Sequence, residues 1–464
     1  MNVLYSSLKL DVAASALKKL NKCFQFDTLV CVPKKKESDV VCIDHNNFVL
    51  LNHHEARHAA SSRWSEIPPL SGEMIAALSF HKCIYYDLLN RQNKDSYYWK
   101  NERSLKEFQY WNYILDKFGI DLFICAAIPH TVVDYAIYAL CKVKKIKTLL
   151  LKDTIIPGYM CCVDDIYDKF DKLENTYMEL LKKNEPYDFS IFMQNYIAKM
   201  ESDSFRFPKD ENSPTENKKP KVFGKTSKAY WGKRYKRIRD FVQSKNLNRQ
   251  YERVSIEADF AMRYIYVPLH FQPEMTTSPL GGVFVNQLLM VKIISWCAKD
   301  RGILLYVKEH PAQEFNYYKR EKLYDDLLSL PNVRLIKKKT SSYKLQEHCV
   351  AVATVTGTVV MESLFKGKPA LVFGHEMNSI APNAYRVSDI HSCETALSDI
   401  VNKKFPISKE KREAFLKAVE LECFRGYIGV PYGAIADIDA DENVDNVFNV
   451  LKNKILEWKS NGKV

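Results

Sequence analysis

The sequence predicts an α/β protein with two Rossmann-like domains, each built on a parallel sheet, that face a central cleft. Three observations support this fold class. The chain has 464 residues, more than one hydrophobic core usually serves, so two domains of about 200 residues are expected. Strand-like apolar runs alternate with helical patterns of about ten residues, and such crossover connections produce parallel sheets. A polar stretch between residues 207 and 220 carries three prolines, which is typical of an exposed linker.

This linker fixes the predicted domain boundaries. We expect an N-terminal domain over residues 1–205, a basic linker segment over 206–255 and a C-terminal domain over 256–464. The prediction allows the last helix to pack back on the N-terminal domain.

The first half of the chain supplies the elements of the N-terminal domain. Short buried runs predict strands, and apolar residues repeating every three or four positions predict helices. The predicted strands are Thr28–Val32, Val40–Leu51, Leu122–Ala127 and Thr148–Leu151, and the predicted helices are Gly72–Asn90, Ser104–Phe118 and Val132–Val143.

The second half shows the same alternation more regularly. The predicted strands are Tyr264–Pro268, Ile303–Val307, Val333–Lys337, Val350–Val355 and Ala370–Phe373, and the predicted helices are Val283–Lys299, Ser341–Glu347, Thr358–Phe365 and Asn443–Lys459.

Composition narrows the class of protein. The longest apolar runs have seven residues, whereas a membrane-spanning helix needs about 20. The first twenty residues mix charges into the apolar positions and show no secretion signal. Twelve cysteines without a CxxC pair are typical of reduced thiols. We therefore expect a cytoplasmic protein, with peripheral attachment to the inner face of the cytoplasmic membrane as the alternative.

Basic charge is concentrated between Lys218 and Arg239, where ten Lys or Arg residues occur without one acid and aromatic residues are interleaved. A solvated helix face, an anionic membrane surface and nucleic acid could each explain this run. No nucleic-acid recognition motif accompanies the charge, so nucleic acid is not an expected partner. An anionic membrane surface is the predicted partner of this segment.

Ligands of open parallel sheets bind at the carboxyl ends of strands, and three segments at such ends carry unusual residues. The first follows the strand Tyr264–Pro268. Here Glu274 is the leading candidate for a catalytic carboxylate, and Gln272 lies two residues before it. Gly281 and Gly282 come next, and two glycines that open a helix would allow an anion to approach the backbone. A plain turn with a helix cap is the alternative.

The second segment follows the strand Ile303–Val307. It reads Lys308, Glu309, His310 and Pro311, a polar cluster ended by a proline. Because imidazole donates a hydrogen bond in either charge state, His310 is a candidate contact for a phosphate or a leaving group.

The third segment follows the strand Val350–Val355. Thr356, Gly357 and Thr358 lead into a helix, an arrangement that can bind phosphate. Glu362 lies one turn into that helix and could contact ribose hydroxyls or face solvent.

In the first half, His130 follows the strand Leu122–Ala127 and is a candidate catalytic residue, with a packed loop histidine as the alternative. No metal site is predicted. Asp164 and Asp165 are interpreted as a helix cap, and the cluster of His53, His54 and His58 as a surface feature, since no further ligand completes it.

The three segments of the second half, taken in order, resemble the capsule polysaccharide biosynthesis family. The motifs are Pro-Leu-His-Phe-Gln-Pro-Glu, then Lys-Glu-His-Pro, then Thr-Gly-Thr followed after four residues by Ser-Leu-Phe-Lys-Gly-Lys-Pro. The resemblance covers about residues 260 to 380. That family includes bacterial transferases of Kdo and related nonulosonic acids.

The resemblance implies a GT-B glycosyltransferase that moves a nonulosonic acid (Kdo, pseudaminic or sialic-type) from its CMP donor to a capsule or other surface glycan, or to its lipid-linked precursor. The N-terminal domain would bind the acceptor and the C-terminal domain the nucleotide-sugar. His310 and Pro311 would hold the CMP phosphate near Thr356, Gly357 and Thr358. Lys308 and Glu309 would belong to the same donor site, Glu362 would contact ribose, and Gln272 and Glu274 would line the reaction centre. No cofactor other than the donor substrate, and no metal, is implied.

Two alternatives stay open. One is a transferase that uses a UDP-sugar or a CDP-polyol. The other is a non-catalytic, glycan-binding component of capsule assembly.

Overall fold

A computed structural model describes residues 1–8, 11–33, 47–51, 53, 62–90, 96–183, 186–205, 228–315, 322–403, 407–429, 433 and 435–462. The chain forms two compact units. The first comprises residues 1–168 and 420–464, and the second comprises residues 169–419. Both are α/β units whose sheets are mainly parallel.

The first unit is built mainly from the start of the chain. Its sheet has a parallel part in the order β3-β2-β1-β4-β5, which antiparallel β6 extends. Its elements up to residue 163 are β1 (Asn2–Leu8), α1 (Asp11–Phe24), β2 (Thr28–Pro33), β3 (Phe48–Leu50), α2 (Gly72–Ala77), α3 (Ser79–Asn90), α4 (Tyr97–Lys117), β4 (Leu122–Cys125), α5 (Val132–Lys144), β5 (Lys147–Asp153) and β6 (Tyr159–Val163).

The second unit contains an entirely parallel sheet in the order β9-β8-β7-β10-β11-β12. Ile265, Val267, Leu305 and Val307 project from its central strands into one hydrophobic core. Its elements are α6 (Asp171–Lys183), α7 (Ile191–Glu201), α8 (Lys228–Val254), β7 (Tyr264–Pro268), α9 (Gln287–Ala298), β8 (Leu304–Lys308), α10 (Leu323–Leu328), β9 (Val333–Leu335), α11 (Ser342–His348), β10 (Ala351–Thr354), α12 (Val359–Phe365), β11 (Ala370–Val372), β12 (Ala384–Arg386), α13 (Ile390–Val401) and α14 (Lys409–Glu422).

The end of the chain returns to the first unit. Strand β13 (Phe424–Arg425) pairs antiparallel with β6, and helix α15 (Ala440–Ser460) packs along α1. Val447, Leu451 and Ile455 of α15 are completely buried in the same core as Val3 and Leu17. The last helix is therefore part of the first unit.

The unit boundaries differ from those predicted, because contacts made by α6 and α7 place both helices in the second unit. The Tyr196 ring of α7 lies 6.4 Å from Phe365, and the Tyr177 ring of α6 lies 6.1 Å from Phe415. Asp203, just after α7, pairs with Lys366 at 2.7 Å. The predicted linker at 207–220 lies outside the described residues, and so does the part of the basic run before Lys228.

Two element predictions need correction. Strand β1 lies at the centre of the first sheet but is not among the predicted strands, because Ser6 and Ser7 interrupt its apolar run. The predicted helix Val283–Lys299 is a short 3-10 turn, Gly282–Val285, followed by α9. Most of the strand predicted at Val40–Leu51 lies outside the described residues. The described part of it contains strand β3.

The strand order of each sheet defines where a ligand can bind. In the second sheet the chain leaves β7 toward β8 on one side and reaches β10 on the other, so the direction of winding reverses between β7 and β10. In the first sheet the same reversal falls between β1 and β4. Crevices at the carboxyl ends of such strand pairs are the usual ligand sites of open α/β sheets.

Candidate functional site

Two of the three predicted segments meet at the reversal point of the second sheet. The chain leaves β7 at Pro268 and leaves β10 at Thr354, and these strands are direct neighbours. Strand β8, which ends at Lys308, lies on the other side of β7. The three segments are therefore brought to one edge of the sheet, as the sequence predicts.

His270 connects the first and third segments. Its Nε2 accepts hydrogen bonds from the Thr354 hydroxyl at 2.9 Å and from the Thr356 amide at 3.3 Å. The Thr354 hydroxyl in turn accepts the Gly357 amide at 3.0 Å, so its own proton is directed to His270. Since Nε2 acts as an acceptor, the neutral ring carries its proton on Nδ1.

The charge state of His270 follows from its surroundings. Burial, and after it the nearby charge of His310, lower the pKa of His270 to about 4. The imidazole is therefore neutral near pH 7, and the hydrogen bonds to the β10 turn fix its tautomer. It can offer one directed N–H donor to a ligand.

His310 is the second imidazole at this edge. Its Nδ1 accepts the Ala312 amide at 3.2 Å, which leaves the proton on Nε2. The side chain is exposed, yet its ring lies among enough protein atoms, including Phe271 at 5.8 Å, that partial desolvation lowers its pKa. Pro311 begins the short 3-10 turn that holds this geometry. His310 is therefore a second neutral N–H donor near His270.

The turn after β10 does not present bare amides, contrary to the prediction. The amides of Thr356 and Gly357 are engaged by His270 and Thr354, and the Thr356 hydroxyl donates to Thr276 O at 2.7 Å. Helix α12 has only seven residues. The segment therefore contributes to the site by fixing His270, while the half-buried Thr358 lies at the start of the helix.

Gly281 and Gly282 also serve a different purpose from the one predicted. The helix they were expected to open is the four-residue 3-10 turn, which is too short to act as an anion site. A Cβ at Gly281 would lie 2.5 Å from Thr277 O, so this glycine is required by close backbone packing. Gly282 has a φ of 53°, a conformation that favours glycine.

Gln272 and Glu274 differ in their surroundings. Gln272 is buried, and its Nε2 donates to Val285 O at 2.8 Å. Its backbone exchanges two hydrogen bonds with the side chain of Gln313, at 2.8 and 3.0 Å, so it fixes the loop after β7. Glu274 is exposed, and its Oε2 accepts the Thr276 hydroxyl at 2.7 Å.

Lys308 and Glu309 are held in buried contacts away from an open surface. Lys308 Nζ donates to Thr340 O at 2.5 Å and to Ser342 Oγ at 3.0 Å, and burial lowers its pKa to about 8. The Glu309 carboxylate accepts the Tyr324 hydroxyl and pairs with Lys338 at 2.8 Å. Both residues position the turn that carries His310.

Glu362 lies on α12 beside a small cavity lined also by Asp203, Phe205 and Tyr343. Its carboxylate accepts the Gln346 amide at 2.5 Å and the Thr358 hydroxyl at 3.4 Å. Burial raises its pKa. Glu362 is half-buried and hydrogen-bonded, so the alternative prediction, that it simply faces solvent, does not hold.

His130 belongs to the first unit, where it follows β4. Its Nδ1 donates to Ile128 O at 2.6 Å. Nearby in sequence, the fully buried Asp134 accepts the hydroxyls of Ser6, Ser7 and Thr131, and His53 Nε2 lies 3.3 Å from its Oδ1. This cluster occupies the reversal point between β1 and β4.

The residues considered for a metal are found in other contacts. Asp164 pairs with Lys147, and Asp165 pairs with Lys142 at 2.7 Å, so both acids form ion pairs where a helix cap was predicted. His54 and His58 lie outside the described residues. Within the described residues, no group of three His, Cys, Asp or Glu side chains could hold a metal ion. No helix among them is long and apolar enough to cross a bilayer.

Sequence reasoning missed His270, although it lies inside the motif Pro-Leu-His-Phe-Gln-Pro-Glu. His270 follows β7 by two positions, so it was a candidate under the rule that ligands bind at the carboxyl ends of strands. Its contacts with Thr354 and Thr356, 84 and 86 residues away, could not be predicted.

The chain matches no protein-family model. No curated protein matches it either. Solved structures give distant likenesses. KpsC of Thermosulfurimonas dismutans, a beta Kdo 2,7 transferase, is 14% identical, with 77% of this chain and 97% of that chain covered and a TM-score of 0.35.

Two further likenesses extend over almost the whole chain. UDP-GlcNAc 2-epimerase of Neisseria meningitidis bound to UDP-GlcNAc is 14% identical, with 98% of this chain and 100% of that chain covered and a TM-score of 0.28. Anabaena Alr3699/HepE in complex with UDP is 11% identical, with 98% and 100% covered and a TM-score of 0.30.

Proposed function

We propose that this protein is a glycosyltransferase of the GT-B type that transfers a nonulosonic acid from a CMP-sugar to a capsule or other surface-glycan acceptor. The observation that carries the proposal is the pair of imidazoles at the reversal point of the second sheet. His270 offers Nδ1–H and His310 offers Nε2–H, and both lie at the sheet edge where nucleotide ligands of α/β folds bind. The motif resemblance supplies the donor class.

The chemistry of this donor suits two neutral N–H donors. As the bond between the anomeric carbon and the phosphate oxygen breaks, its electron pair leaves with CMP and negative charge grows on the phosphate. Hydrogen-bond donors fixed before the reaction stabilise that charge best. The anomeric carbon becomes cationic beside the sugar's own carboxylate, and the acceptor hydroxyl then bonds to it. Stabilisation of the leaving phosphate by imidazole N–H groups requires no metal ion.

The acceptor's proton needs a base, as in glycoside chemistry. Glu274 is the carboxylate proposed for this role, since it is exposed and follows β7 by six residues. Lys308, Glu309 and Gln272 act as positioning residues, because their polar groups hold the loops after β7 and β8. Thr358 and Glu362 remain the candidates for contacts with the nucleotide.

The first prediction concerns the nucleotide. CMP at about 100 times its dissociation constant should add about 2.7 kcal/mol of stability, which a thermal melt detects. We expect CMP to raise the melting temperature more than UDP or CDP does. A larger shift with UDP would favour the UDP-sugar alternative, and no shift with any nucleotide would favour the non-catalytic alternative.

His310→Ala should remove most of the CMP-induced shift and abolish transfer while leaving the melting temperature of the free protein unchanged, since the side chain is exposed. His348→Ala is the matched control, because His348 is also exposed and its ring contacts Lys344 O on α11. Full transfer by His310→Ala would remove the phosphate role. Full transfer by Glu274→Gln would redirect the search for a base to Asp134, Asp153 and Asp164.

A further inference from the structure

Helix α8 has two different apolar faces. Its C-terminal half packs on the second unit, where Tyr251 is completely buried and donates its hydroxyl to Ile336 O at 2.6 Å. Ser244, two turns earlier, is also buried. These residues define the inner face of the helix.

The outer face carries large apolar side chains that contact no core. Tyr235 is 71% exposed, Ile238 55%, Phe241 58% and Val242 48%. Their spacings of three and four place them in one sector of the helix. At 100° per residue Tyr235, Ile238 and Val242 lie about 120° or more from Ser244, and Phe241 lies at the edge of that sector, about 60° from Ser244. Four such side chains on a single helix face exceed the scattered apolar exposure that is normal on protein surfaces.

The sequence of this helix is strongly basic. From Lys228 to Lys245 the helix contains seven Lys or Arg residues and one acid, Asp240. Among the described side chains, Arg239 and Lys245 are exposed, and Lys245 Nζ lies over the Phe241 ring, 4.6 Å from its centroid. The helix is too highly charged to enter a bilayer core, which fits the absence of a spanning helix in the described part of the chain.

We propose that the outer face of α8 docks on the surface of an anionic lipid bilayer. A basic helix with aromatic and aliphatic side chains on one face lies in the interface, with its apolar groups below the headgroups and its cations among them. Each cation held near an anionic surface adds to the attraction. The proposal does not depend on the proposed activity.

The same features argue against other occupants. A second copy of the chain would bring two strongly basic helices face to face, and like charges would repel. Nucleic acid would use the cations but would gain little from Ile238 and Val242, which can neither stack on bases nor contact phosphate favourably.

The test uses the full-length protein in co-sedimentation with phosphatidylcholine vesicles, with and without phosphatidylserine. We expect sedimentation with the phosphatidylserine vesicles, little with phosphatidylcholine alone, and weaker binding as salt rises. Ile238→Ser combined with Phe241→Ser should weaken binding by about tenfold or more, because two apolar side chains no longer enter the interface. Ile191→Ser is the matched control, since Ile191 is 78% exposed on a different helix.

Three results would overturn the proposal. Equal binding of the double variant and wild type would show that the outer face is not the contact. Self-association that the double variant abolishes would assign the face to a second copy. Binding to an oligonucleotide that is tighter than binding to phosphatidylserine vesicles would assign the cations to nucleic acid. An unchanged melting temperature of the double variant excludes unfolding as the cause of lost binding.

Discussion

At the scale of single residues, the candidate site contains a histidine that is kept neutral and held in one tautomer. A histidine in water titrates near 6.5, and half of such side chains would carry a charge at that pH. Burial, and after it the charge of His310, lower the pKa of His270, and the hydrogen bonds from Thr354 and Thr356 fix the tautomer of its neutral ring. A neutral donor can contact phosphate with less loss of its own solvation than a cation would suffer.

The pKa of His270 gives a direct prediction. We expect its imidazole to titrate at about 4 in histidine-labelled NMR spectra, and His310→Ala should raise that value because a nearby positive charge is removed. The unfolded chain then binds more protons than the folded chain between about pH 6.5 and 4. This residue therefore lowers the stability of the fold as pH falls through that window.

The matched variant for this measurement is His348→Ala, which removes an exposed histidine on α11. It should leave the titration of His270 unchanged. A midpoint for His270 near its ordinary value would contradict both the burial and the assigned tautomer.

At the scale of elements, the turn that joins β10 to α12 matters most for the candidate site. Gly357 donates its amide to Thr354, and its carbonyl accepts the Asn378 amide at 3.0 Å. Asn378 is itself buried. The turn is therefore held from both sides, and the position of His270 depends on it.

Gly357→Ala should disrupt this turn. The new Cβ would lie 2.6 Å from Thr354 Oγ1 and 3.4 Å from the His270 ring, so the Thr354 hydroxyl must move. We expect a loss of about 1–3 kcal/mol of stability from overpacking, together with loss of the CMP-induced melting shift. Gly72→Ala is the control, because no atom lies within 4 Å of its added Cβ. A full CMP shift in Gly357→Ala would show that the turn does not position the site.

At the scale of the whole molecule, the chain closes its first unit with its last helix. Residues 420–464 pack with residues 1–168, although more than 250 residues separate the two segments. Backbone contacts reinforce this return: the Gly426 amide donates to Gly158 O at 3.0 Å, and the Ile428 amide donates to Asp153 Oδ1 at 3.4 Å. The folding of the first unit therefore depends on the end of the chain.

Leu451→Ala tests this dependence. Leu451 is completely buried in the core of the first unit, and a cavity at such a site costs about 2–5 kcal/mol. We expect faster amide hydrogen exchange in β1 and β4, with little change in β7 and β10. Leu456→Ala, on the exposed side of the same helix, should change stability by less than about 0.5 kcal/mol. Faster exchange confined to the second unit would contradict the assignment of α15.

The sequence by itself determined the class of fold, most elements of the second unit and the three strand-end segments that the second sheet brings to one edge. These features depend on local patterns: apolar period, turn residues and the rule that loops after parallel strands face ligands. Strand Tyr264–Pro268 was predicted with its observed bounds for this reason.

Only the tertiary structure decided which polar groups of those segments are available. The Thr356 and Gly357 amides are already hydrogen-bonded. Lys308 donates to Ser342, and Glu309 pairs with Lys338, both in buried positions. His270 is the histidine that the fold places between the β7 and β10 turns. The membership of α6, α7 and α15 in their units was decided in the same way. Hydrogen-bond partners and burial come from residues far apart in the chain, and no local pattern records which distant residue will supply them.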